Sequence, residues 1–224
     1  MRLLNKYAWD IIVKDDFLYF QMPVKLNKNK QAIYSFGKSD LDKSWEISEP
    51  EFNIKKYGNN YEKFLPLVGS NCDYVVHFPD GSLVCTGFRD YIFYFIDSHG
   101  NIKNQRSDIG FSNIYSFDID QKGFLWFAIP TSNYIAQFSL ELNKEVYQFG
   151  KRYEQNRLLY CPEDIKIYDE YAYISNMEAN SIIRLNINSK KWSKHLQFNQ
   201  PTWEYRQCRE KEIIRLQDGV YVLD

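Results

Sequence analysis

Five times along this chain an apolar alternating run, a tight polar turn and a second apolar alternating run follow one another: Asp10 to Phe20, Tyr74 to Val84, Ser116 to Trp126, Asp164 to Tyr173 and Ile213 to Val222. Alternation with period two turns one face of each run toward a core and the other toward solvent, so every stretch predicts a β-hairpin. The turns centre on Asp16, Gly81, Gly123, Glu170 and Gly219. Three of them carry a glycine after Asp or Lys, the residue that takes up the positive φ of two-residue and bulged hairpins. Their spacings are 65, 42, 47 and 49 residues, the range in which a repeated supersecondary unit recurs.

Two further strand-like runs follow each of the first four hairpins. They are Ala32 to Phe36 and Trp45 to Ile47, Tyr91 to Ile96 and Ile102 to Gln105, Tyr134 to Leu140 and Val146 to Phe149, and Ser181 to Ile187 and Trp192 to Leu196. The unit is thus four short antiparallel strands in about 45 residues, the signature of a propeller blade. Aromatics reinforce it: 18 Tyr, 16 Phe and 5 Trp make up 17% of the chain, and such rings favour half-buried pleated surfaces. The expected fold is all-β, a single small β-propeller domain over residues 1–224 with about five blades and a thin or incomplete last blade. The blades fall at about 9–48, 73–106, 113–150, 162–198 and 209–224.

Two stretches interrupt the pattern. Glu49 to Val68 lacks alternation and reads as an inserted loop within 49–70, and Asn199 to Glu210 reads as an irregular link before the last hairpin. The fifth unit then has only two strands. A propeller closes by letting one terminus complete the other's blade, so Arg2 to Tyr7 is expected to pair with the sheet containing Ile213 to Leu216 and Val220 to Leu223.

Charge removes some function classes. With 28 basic and 29 acidic residues the net charge is -1, so no global field gathers a phosphate backbone or an acidic lipid surface. The longest apolar run, Tyr91 to Ile96, is far short of the roughly 20 residues of a membrane helix, and mean hydropathy is -0.52. Neither nucleic acid nor membrane is an expected partner. The N-terminal residues show no secretion leader, and Cys72, Cys85, Cys161 and Cys208 form no Cys-x-x-Cys pair, so reduced thiols in a cytoplasmic protein are expected.

The run Cys161-Pro-Glu-Asp-Ile-Lys-Ile-Tyr-Asp-Glu-Tyr-Ala-Tyr-Ile-Ser-Asn-Met-Glu-Ala-Asn-Ser-Ile-Ile-Arg-Leu-Asn186 resembles the NHL repeat, whose blades read proline, a small apolar pair, a turn, an apolar strand, Ser/Asp-Asn and an Ile-x-Arg-Leu strand. Ser112 to Leu140 resembles it more loosely. Only Pro162 sits where that repeat carries its proline. The resemblance implies a propeller, in a broad group of NHL-like and gluconolactonase-like proteins that includes both enzymes and binding scaffolds. Its lactonases and esterases hold a divalent cation on the axis with oxygen ligands from inner strands. The matching column here is Asp10, Val75, Ser116, Asp164 and Ile213. Asp10 and Asp164 are the metal-ligand candidates that follow, but Val75 and Ile213 leave two sides of the ring without oxygen, so no metal or other cofactor is expected.

Other catalytic constellations are missing from the sequence. His77, His99 and His195 are the three histidines, and no Gly-x-Ser-x-Gly elbow, Gly-x-Gly-x-x-Gly loop, Walker loop or His-Glu-x-x-His motif accompanies them. No catalytic residue is therefore assigned. Trp203, Tyr205 and Arg206 lie within four positions in the link before the last hairpin, and these residue types dominate interface hot spots. They are the partner-binding candidates. The reading is a non-enzymatic scaffold that binds another protein, an inhibitor or immunity-type protein being one such case. A metal-dependent lactonase or esterase is the alternative, and carbohydrate or small-ligand binding a second.

Overall fold

The computed structural model describes residues 2–4, 10–14, 17–26, 32–39, 74–78, 80–86, 92–107, 109–111, 114–150 and 158–223. The strands in chain order are β1 (Arg2–Leu4), β2 (Asp10–Lys14), β3 (Phe17–Leu26), β4 (Ala32–Ser39), β5 (Tyr74–His77), β6 (Leu83–Thr86), β7 (Phe93–Ile96) and β8 (Ile102–Arg106). The second half adds β9 (Ser116–Ile119), β10 (Leu125–Ile129), β11 (Tyr134–Ser139), β12 (Lys144–Phe149), β13 (Pro162–Tyr168), β14 (Tyr171–Asn176), β15 (Ser181–Asn186) and β16 (Trp192–Gln197). It ends with β17 (Thr202–Cys208), β18 (Lys211–Leu216) and β19 (Gly219–Leu223). They form five sheets, ordered β2-β3-β4, β5-β6-β7-β8, β9 to β12, β13 to β16, and β1-β19-β18-β17. All five expected hairpins are present, and both the insertion Glu49 to Val68 and the expected strand Trp45 to Ile47 lie outside the described residues.

The chain divides into two compact units, Met1–Asn53 with Glu170–Asp224, and Ile54–Asp169. In the second of these, every residue of β10 is buried, because the strand lies between β9 and β11 and apolar side chains cover both of its faces. Phe93 meets Phe117 and Phe127 edge-on there, with ring centroids 5.6 and 5.5 Å apart. That geometry suits the ring quadrupoles. Its turns are capped by carboxylates: Asp120 accepts the N–H groups of Lys122 and Phe124 around Gly123, which takes φ 79°, and also accepts the Trp126 indole N–H at 2.9 Å. The same device recurs where Asp97 accepts the N–H groups of His99 and Asn101.

In the unit that joins both ends of the chain, the expected pairing of the N-terminal segment with the last hairpin is present. Strand β1 pairs antiparallel with β19, through Arg2 with Tyr221 and Leu4 with Val220. Residues 5–7 of the expected strand lie outside the described residues. The thin last blade needs correction. The fifth sheet has four strands, because Thr202–Cys208 forms strand β17 and not an irregular link. Its sequence, Thr-Trp-Glu-Tyr-Arg-Gln-Cys, hides the strand signal in two ways. The buried positions Thr202, Glu204 and Arg206 are polar, and the register shifts between Thr202 and Glu204, breaking the period.

Candidate functional site

The fifth sheet brings together most of the chemistry that the chain displays. Glu204 and Arg206, two apart on β17, share one face of the strand and are 8% exposed each. They grip the backbone of one residue of β2: the Ile11 N–H donates to Glu204 Oε2 at 2.9 Å, and Arg206 Nε donates to the Ile11 carbonyl at 2.9 Å. A carboxylate and a guanidinium thereby stand in for the acceptor and donor of a neighbouring strand. Arg206 Nη1 also donates to the Tyr205 carbonyl, and Arg215 Nε pairs with Glu204 Oε2 at 3.1 Å. The one buried carboxylate thus faces two guanidiniums, the nearer 3.1 Å away, so it is not buried unpaired.

Inner strands use a related joint in the other unit. Ser116 Oγ donates to Asp164 Oδ1 at 2.8 Å, and the Ile167 N–H donates to Asp118 Oδ2 at 2.8 Å, tying β9 to β13. Burial pushes the Asp118 carboxyl above its usual range, and the Lys166 charge and the Ile167 N–H oppose the shift. Asp164 is therefore a buried structural acceptor of the Ser116 hydroxyl. Asp10 opens β2, and its side chain lies outside the described residues. Counting five residues back from the left-handed turn residues Asp169 and Arg209 places Glu204 where Asp164 stands in the previous repeat, so Ile213 is not the fifth member of that column. Among the described residues no group of three or more His, Cys, Asp or Glu side chains is placed to hold a metal ion.

Tyr205 points to the opposite side of β17. It is fully buried, stacked on Tyr173 with centroids 4.5 Å apart and rings 7° from parallel. Its hydroxyl donates to Glu212 Oε1 at 2.5 Å and accepts from Gln207 Nε2 at 2.7 Å. Burial, helped by Glu212, pushes the phenol far above its ordinary range, so it stays protonated and serves as a donor. His195, edge-on to Tyr173 at 5.3 Å, contacts the same Glu212 oxygen through Nε2. His99 is exposed in a turn, and His77 ends β5 with its side chain outside the described residues.

Of the three partner-binding candidates, Tyr205 and Arg206 are thus interior groups, and only Trp203 is left half-buried. Trp203 sits at the register shift of β17. Its indole N–H donates to Gln217 Oε1 at 3.3 Å, and the Arg215 guanidinium lies 5.5 Å from the ring centroid. Beside Gln217 in the β18–β19 turn, the exposed Asp218 carboxylate accepts the Tyr221 hydroxyl at 2.9 Å and the Gln200 amide at 2.8 Å. The patch made by Trp203, Gln217, Asp218, Tyr221 and Gln200 escapes sequence reading except for its Asp218-Gly219 turn, because β17 and the last hairpin meet only through sheet pairing.

No family model matches the chain, and no curated protein sequence matches it. Solved structures do. Virginiamycin B lyase from Staphylococcus aureus is similar with a TM-score of 0.52 at 13% identity, over 95% of this chain and 78% of that one. A protein of unknown function from Bacteroides caccae is similar with a TM-score of 0.50 at 11% identity, over 94% of this chain and 69% of that one. YCF48, solved bound to a D1 peptide, gives 0.52 at 10% identity over 67% of this chain, which spans 50% of the YCF48 chain. At such identities the likeness speaks for fold alone, and with the short antiparallel sheets of the described residues it makes this chain an all-β protein of the propeller class.

Proposed function

We propose that the protein is a non-enzymatic, NHL-like propeller scaffold that binds another protein, with Trp203 as the anchor of the docking surface. The observation that carries this reading is the state of the Trp203 ring. It is half-exposed, yet held from two sides by Gln217 and Arg215, with Asp218 in the adjoining turn and Tyr221 on β19. A pre-positioned aromatic side chain loses little rotamer freedom on binding, and Trp, Tyr and Arg are the residues that dominate interface energetics. The fold does not choose between binder and enzyme, since similar propellers include a lyase and a peptide-bound protein. The choice rests on the charged candidates inside the sheets: Glu204, Arg206 and Asp164 hold strands together. A cytoplasmic setting goes with this reading.

The test is site-specific photocrosslinking from the exposed position 217, beside the intact Trp203 ring, with a probe at the exposed Trp192 as control, in cells that express the protein. A discrete partner that crosslinks from 217 and not from 192, and that binds the purified Trp203→Ala protein at least about 30-fold more weakly, is expected for a hot spot of roughly 2 kcal/mol. Equal crosslinking from both positions, or unchanged binding by Trp203→Ala, overturns the proposal.

A further inference from the structure

Two buried hydroxyls in the unit formed by both ends of the chain have no hydrogen-bonding partner within the protein: Ser175 Oγ and Thr202 Oγ1, both in fully buried residues. A buried hydroxyl left unmatched is costly, so each calls for an acceptor or donor. Their placement converges. Tyr173 and Ser175 are two apart on β14 and share a face. On β17 the register shift pairs Thr202 with Leu216 and Tyr205 with Ile214, and those partners are themselves two apart on β18, so Thr202 and Tyr205 also share a face. The Tyr173–Tyr205 stack shows that these two faces look at one another.

The level along the strands agrees as well. Ser175 lies at the end of β14, just before the 3-10 turn Met177–Ala179 that packs against β17. The next residue, Asn180, accepts the Phe198 N–H at 2.8 Å through its carbonyl, which brings that end of β14 to the start of β17, where Thr202 stands. We propose that Ser175 Oγ and Thr202 Oγ1 together hold one internal water molecule between β14 and β17, behind the Tyr173–Tyr205 stack. Water is the ligand class because the unmatched groups are two small, uncharged hydroxyls, and internal waters typically bridge a few otherwise unmatched polar groups. Thr202 precedes Trp203 at the register shift, so the bridge also fixes the backbone that presents the Trp203 ring.

The experiment is a double-mutant cycle with Ser175→Ala and the isosteric Thr202→Val, read by thermal unfolding, together with a crystal structure that resolves ordered water. The proposal expects each single variant to lower Tm by about 2–4 °C. It expects the double variant to fall no further than the worse single one, because either change releases the same water, and Thr202→Ser to keep the wild-type Tm. Electron density within hydrogen-bond distance of both oxygens completes the expectation. A Tm that rises or stays constant in Thr202→Val, effects that add, or the two hydroxyls bonded directly to each other with no density between them, each overturns it.

Discussion

Glu204 Oε2 accepts the main-chain N–H of Ile11 at 2.9 Å, across 193 positions of sequence, and Arg206 on the same strand takes up the Ile11 carbonyl. The first repeat is thereby fastened to the last by side chains that imitate a β-ladder, on the opposite side of the fifth sheet from the edge where β1 adds to β19. Glu204→Leu would leave Arg206 and Arg215 buried without their carboxylate, which typically costs about 3–5 kcal/mol. Urea unfolding measures it. A loss under about 1 kcal/mol would mean that the pair behaves as a solvated surface bridge.

Trp203 and Tyr205 separate surface from core. Tyr205→Ala removes a fully buried ring from its stack on Tyr173 and should cost about 3–5 kcal/mol, whereas Trp203→Ala, which truncates a half-exposed side chain, should cost about 1 kcal/mol or less. Calorimetry on the two variants checks the order. Equal losses would place the indole in the core and remove it as a docking anchor.

Asp97 sets part of the acid limb of stability. The N–H of Asn101 above all, with Lys103 and the His99 N–H, holds its carboxyl well below the ordinary aspartate range. A depressed folded-state pKa means stabilisation that is complete above the unfolded value, near 3.9, and lost as pH falls below it. Between about pH 4.5 and 2, the wild type should therefore lose stability more steeply than Asp97→Asn, which keeps an acceptor oxygen but does not titrate. Parallel slopes would show that this turn contributes nothing to acid sensitivity.

Calcium should leave the melting temperature unchanged. The Glu204 carboxylate is engaged by Arg215 and Ile11, and Asp164 by the Ser116 hydroxyl, so neither offers the open oxygen set that the ion requires. Asp164→Ala should lower Tm to the same extent with and without calcium. A rise of several degrees on adding calcium, lost in Asp164→Ala, would restore the metal-dependent enzyme as the better reading.

What the chain declares locally is its set of hairpins. Alternation and turn chemistry act over a few residues, so Asp120 around its glycine turn, the β18–β19 turn at Asp218-Gly219 and even the addition of Arg2 to Leu4 to the last sheet follow from pattern and count. What the chain conceals is β17 and everything attached to it. One of its two buried faces carries Glu204 and Arg206, and a polar residue reads as solvated until its partners are known; here those partners are the backbone of Ile11 and the side chain of Arg215. The same non-local pairing takes Tyr205 and Arg206 out of the candidate interface and leaves Trp203 at its edge. Period-two burial is a property of neighbours in sequence, and charge compensation is a property of neighbours in space, which only the folded sheets bring together.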